Sequence, residues 1–122
     1  MIWTRKTWTM LAALSGFLAV GFGAFGAHDV TDPAARDWLK TGSTYEFIHA
    51  LATLACSALV VAGAPRARHA PALFLGGSLL FSGSLYAMAL GAPHILGAVT
   101  PVGGLMFLAG WLALAWSARD IR

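Results

Sequence analysis

The sequence predicts an all-α integral membrane protein: a four-helix bundle with both termini on the cytoplasmic side and a short interfacial helix in its first outer loop. Three observations predict it. Hydrophobic residues make up 58% of the chain and charged ones 11%, whereas soluble domains carry roughly 25% charged and about 45–50% apolar residues. The apolar residues are gathered into four long runs. The basic residues stand at the ends of those runs. With 8 basic and 5 acidic side chains, a chain this small lacks the charge to clothe a core in water, so much of its surface is expected to face lipid. The net charge of +3 does not point to nucleic acid, because the basic residues form no patch interleaved with aromatics.

Helix one is expected over about residues 8–27, with no charge after Lys6. Arg5 and Lys6 ahead of it, and Ala24, Gly26 and Ala27 at its end, have the outline of an export signal. The stretch is longer than a usual signal core and is expected to stay as a membrane anchor. Helices two, three and four are expected over about residues 45–64, 72–92 and 95–118; a run of about 20 residues, rising 1.5 Å per residue, crosses a hydrocarbon core of roughly 30 Å. Lipid admits only helices and closed barrels, and no run shows the polar alternation of a strand. Cys56, the one cysteine, lies inside an apolar run and reads as a small packing residue.

The long loop from His28 to Thr44 carries local signals of its own. Asp32 before Pro33 is an N-cap followed by proline at the first helical position. Ala34, Ala35, Trp38 and Leu39 then give an apolar face to a short helix over about residues 33–40, which Gly42 would end and Trp38 would anchor at the outer membrane surface. Ser43, with Glu46 three residues on, reads as a capping box opening helix two.

Orientation follows from the basic residues. Arg5 and Lys6, Arg66 and Arg68, and Arg119 and Arg122 all fall on one side of a four-span topology. The other side holds Asp29, Asp32 and Asp37 against Arg36 and Lys40. The positive-inside rule then predicts both termini in the cytoplasm.

Helices in lipid associate through close packing and hydrogen bonds, so small residues mark the contacts. Gly16, Gly23 and Gly26, with Ala12 and Ala19, form one seam along helix one. Gly83 in helix three, and Gly103 and Gly110 in helix four, are read the same way. Pro101 within helix four predicts a kink, with Thr100 beside it to satisfy a freed carbonyl.

The polar residues that carry chemistry gather at the outer side. His28, Glu46, His49 and His94 are the candidate ligand set, and Glu46 and His49 share a Glu-x-x-His spacing used by metal sites in bundles. Three readings stand beside one another: a metal or small-cofactor site of unknown identity, a structural hydrogen-bond cluster, and handling of protons or a solute. Ser78 and Ser82 in helix three, four residues apart, are expected to bond to a neighbouring helix. With no base beside them, they are no nucleophile. The deeper membrane region is expected to hold no Asp, Glu, Lys or Arg, which argues against ion-coupled transport. Phosphate loops, paired catalytic carboxylates and nucleophile elbows are missing, so no catalytic residue is assigned and an enzyme is not expected.

Four ordered motifs carry a resemblance over essentially the whole chain. They are Gly23-Ala24-Phe25-Gly26-Ala27-His28, His49-Ala50-Leu51-Ala52, Leu80 to Tyr86, and Thr100-Pro101-Val102-Gly103-Gly104 followed by Gly110-Trp111. Together they resemble the YgdD-like family of small membrane proteins, a family of unknown function that includes a mitochondrial transmembrane relative. Glu46 departs from the resemblance, which leads one to expect glutamine there. The resemblance implies a bacterial inner-membrane protein of four helices and brings no activity with it. The leading expectation is a non-enzymatic structural or accessory subunit, in contact with membrane lipid and with copies of itself or a larger membrane complex. The alternatives are an outer-face metal or cofactor binding protein, and a passive channel or carrier for a small or lipidic solute.

Overall fold

In a computed structural model, which describes residues 2–122, four long helices account for most of the chain: α1 (Arg5–His28), α2 (Pro33–Val61), α3 (Pro71–Ala89) and α4 (Thr100–Ser117). Short 3-10 turns, Pro65–His69 and His94–Ala98, lead into α3 and α4. Each span, counted with its turn, is long and apolar enough to cross a membrane. Among the described residues there is no strand.

The helix ends follow local chemistry. Thr4 caps α1 by accepting from the Thr7 amide at 3.2 Å, and Asp32 caps α2 by accepting from the Ala35 amide at 3.0 Å, with Pro33 in the first turn. Helices α2 and α3 close alike. Gly63 and Gly91 take φ of 106° and 105°, and Ala64 and Ala92 donate back to Leu59 and Ala87 at 2.9 Å. This is the glycine-closed C-cap that satisfies the last carbonyls of a helix.

Two expectations about helix bounds are overturned. Residues 33–40 are not a separate interfacial helix ended by Gly42, and Ser43 and Glu46 do not cap a new one; α2 runs unbroken through all of them for 29 residues. Gly42 continues the helix because its bare face receives the Tyr86 ring, where an added Cβ would lie 2.7 Å from Cε1. Leu39 is fully buried against Gly26, and Trp38 packs edge-on to His94 at 5.3 Å, so this segment docks on protein. At 1.5 Å per residue α2 is about 43 Å long, longer than the roughly 30 Å hydrocarbon core of a bilayer.

Pro101 likewise begins α4 instead of kinking it. In a first turn the missing N–H removes no helical bond. The fourth span therefore changes from 3-10 to α geometry there. Thr100 bonds Ser84 across to α3 at 2.6 Å, where a local carbonyl was expected.

Helices α2 and α3 form the centre, with α1 packed along α2 and α4 along α3. The α1 seam meets α2 in antiparallel register: Gly16 faces Ala50, Gly23 faces Ser43, and Gly26 faces Leu39. At the α3–α4 crossing Gly103 sits over the Gly77 carbonyl, and Gly110 takes the Phe74 ring. Gly83 differs from expectation: open space surrounds it, and Gly42, Gly76 and Gly77 make the close approaches instead. A small core of Ala52, Cys56, Ala67, Ala70 and Phe74 closes the end that carries the α2–α3 connection. At that end Arg66 pairs with Asp120 at 3.2 Å and lies over Trp116 at 4.9 Å.

Candidate functional site

The four residues expected to form an outer cluster are dispersed. His28 is the exposed last residue of α1, and His94 is exposed in its turn against Trp38. Glu46 and His49 are both buried, at 6% and 4% exposure, but point to different neighbours. Among the described residues no group of three or more His, Cys, Asp or Glu side chains is placed to hold a metal ion. The Glu-x-x-His spacing therefore separates its two members: a step of three residues turns about 60° short of a full circle, enough to aim one at α1 and the other at α4.

His49 faces α4. Its Nδ1 lies 2.6 Å from the Tyr45 carbonyl oxygen, and the Trp111 indole N–H donates to its Nε2 at 3.0 Å. An indole N–H can only donate, so Nε2 accepts and the proton resides on Nδ1. The ring also stacks on Phe107, with centroids 3.6 Å apart and planes within 8°. His49 is thus held on both nitrogens and one face, and Trp111 packs against α2 and α3.

Glu46 faces α1 and α3. Ser15 donates to its Oε2 at 2.8 Å, and Tyr86 donates to its Oε1 at 2.7 Å. Phe22 of α1 stacks on Tyr86 at 4.0 Å, which fixes the phenol. Ser82 donates to the Gly42 carbonyl at 2.7 Å one turn away and ties α3 to α2. Ser15 lies near the middle of α1, so Glu46 lies near mid-depth in the bundle. The expectation of a deep interior free of carboxylates is overturned. The capping signal at Ser43 places Glu46 at the outer face; in the continuous α2 the same residue falls at the helix centre. Both carboxyl oxygens accept hydrogen bonds. Among the described residues no basic side chain pairs with it.

A cleft of about 560 Å³ opens beside this carboxylate between α1 and α3. Leu11, Leu14 and Leu18 form one wall and Leu75 and Leu79 the other, while Glu46, Ser15 and Ser78 supply its polar lining. The Ser78 hydroxyl is buried without a hydrogen-bond partner, and the residue is 5% exposed. The cross-helix bond expected of Ser78 and Ser82 is thus made by Ser82 alone. Sequence reasoning missed Ser15 and Tyr86 as partners of Glu46. Nothing in their spacing joins residues 31 and 40 positions apart.

Relatives share this architecture's length. A "UPF0382 membrane protein" of Haemophilus influenzae is 39% identical over 93% of this chain and 94% of its own. The "UPF0382 inner membrane protein YgdD" of Escherichia coli is 39% identical over 98% of this chain and 94% of its own. A Staphylococcus epidermidis UPF0382 membrane protein is 40% identical over 89% and 92%. No solved structure matches. The family described as "Protein of unknown function (DUF423)" matches residues 22–104, which include α2, α3, Glu46 and His49. This chain belongs to that family and is a membrane protein.

Proposed function

We propose that this chain is a non-enzymatic accessory protein of the bacterial inner membrane, with both termini in the cytoplasm, that acts through helix faces inside the bilayer. The carrying observation is where its exposed apolar side chains lie. Phe17, Val20, Leu79, Leu105 and Leu112 are each 61% or more exposed, while the helices are joined by short connections and single 3-10 turns. So little chain stands outside the spans that a partner, either a second copy or a larger membrane complex, is met through packing within the lipid.

The inner-membrane assignment draws on the name of the Escherichia coli relative. The orientation draws on Arg5, Lys6, Arg66, Arg68, Arg119 and Arg122, which antiparallel spans gather at one end, and on the Arg66–Asp120 pair that joins two of those groups. Co-purification in mild detergent tests the role: a larger membrane protein or a defined oligomer is expected, and a chain that always runs alone refutes it. Single cysteines at positions 37 and 66, in a Cys56→Ser background, test the orientation. An impermeant maleimide on intact cells should reach only position 37.

A second reading, a carrier or binding protein for a small or lipidic solute, is favoured by the cleft beside Glu46.

A further inference from the structure

The cleft between α1 and α3 has the chemistry of a binding site, and we propose that it takes a lipophilic amine: a membrane-dissolved molecule with a protonated amino head and an apolar tail. This deepens the solute-binding reading and rests on the chain lying in the bilayer, but not on which end faces the cytoplasm.

Three observations converge. Glu46 is a buried carboxylate near mid-depth, and two hydroxyls bond it without supplying positive charge. Eight Lys and Arg side chains exist in the sequence, and all stand in the terminal segments, in the connections or in the first turns of α1 and α2. A carboxylate taken out of water calls for a cation or a proton, and each Glu46 oxygen, accepting one bond, keeps a free acceptor site. Second, Ser78 lines the same cleft, and its hydroxyl is buried without a hydrogen-bond partner. An ammonium group has three donors, enough for Glu46 and for a second acceptor in the polar lining. Third, the walls are leucine on both sides, which fits an alkyl or aryl tail. A phospholipid keeps its charged head at the membrane surface, so at most its tails would enter at this depth.

Ionisable residues inside membranes mark ligand and ion paths because their cost has to be met by a partner. Here the protein supplies hydroxyls and leaves the charge to the ligand. Tyr86, clamped by Phe22 and the bare face of Gly42, fixes the carboxylate direction. Affinity therefore depends on the ligand's charge, while chain length is read loosely by the leucines.

The test uses the full chain in phosphatidylcholine nanodiscs and two photoreactive probes with the same diazirine alkyl chain, one ending in a primary amine and one in a hydroxyl. After irradiation, labelled residues are located by mass spectrometry. The amine probe is expected to label Leu14, Leu18, Leu75 and Leu79 in excess over Leu112 on the outer face of α4, and the alcohol probe to show little excess. Glu46→Gln should lower the amine labelling of the cleft about tenfold, the effect of losing one charge-assisted bond in a buried place. Leu79→Trp, at a position 73% exposed, should block labelling while leaving Glu46 intact. Equal labelling by both probes, labelling of Leu112 as heavy as that of the cleft, or amine labelling unchanged in Glu46→Gln would each overturn the proposal. These readings are independent of cysteine accessibility at the two ends, so an error in orientation and an error in the ligand are told apart.

Discussion

Adding one methyl group at Gly103 should cost stability, while the same change at Gly83 should not. A Cβ at Gly103 would lie 2.7 Å from the Gly77 carbonyl oxygen and also meet the Phe81 backbone, whereas ordinary contact begins at 3.4 Å. Backbone of a packed helix does not swing aside as a side chain does, so α3 and α4 have to part by at least about 0.7 Å, a gap that forfeits a quarter to a half of each dispersion contact along the seam. The Ser84–Thr100 bond of 2.6 Å bridges the same two helices and lengthens with them. Overpacking of this kind costs about 1–3 kcal/mol, offset by about 1 kcal/mol from replacing glycine with alanine in a helix. Net destabilisation of about 1 kcal/mol, and at most about 2 kcal/mol, is expected for Gly103→Ala. Gly83 has open space around it, so Gly83→Ala should be neutral or stabilising by up to about 1 kcal/mol. The assay is unfolding in mixed micelles of rising SDS fraction, followed by tryptophan fluorescence. A Gly103→Ala protein as stable as the parent, or a Gly83→Ala protein that loses as much, would refute the close-approach argument.

Three further outcomes follow from the buried polar contacts and from the ion pair. Tyr86→Phe removes one of two donors to Glu46 and should destabilise by about 1–3 kcal/mol; in the double variant with Glu46→Gln the two effects should fail to add by at least about 0.5 kcal/mol, and strict additivity in the same micelle assay would show that the bond is idle. Trp111→Phe keeps an aromatic ring beside Phe74 but leaves His49 Nε2 without its donor, at an expected cost of about 1–3 kcal/mol; a variant indistinguishable from the parent would count against the bond. Arg66→Ala should cost no more than about 1 kcal/mol and lose even that in high salt, because the Arg66 side chain is 43% exposed; a larger, salt-insensitive loss would mean that packing over Trp116 dominates.

The α1 seam shows how much of the packing was legible. Glycines and alanines at alternating intervals of four and three lie on one helix face by geometry alone, and that face is the one turned to α2. Gly83 failed the same test because a small residue marks a contact only when a partner comes close, and no helix reaches it. Gly42 failed in the opposite direction. In water glycine reads as a stop, but a ring from another helix can fill its bare face, and the Tyr86 ring does so. The misplacement of Glu46 followed directly, since its assumed depth depended on where α2 began.

By itself the order of residues determined four helices long and apolar enough to cross a membrane, the Asp32–Pro33 start of α2 and the gathering of basic side chains at the ends of the apolar runs. These are properties of a short stretch of chain against its solvent, and hydropathy records them without reference to any distant residue. Only the tertiary structure decided that Glu46 meets Ser15 and Tyr86, that His49 meets Trp111 instead of the other histidines, and that Ser78 faces a cleft with its hydroxyl unpaired. Those contacts join three separate helices to α2, and their geometry is set by helix rotation and crossing, which local periodicity leaves free.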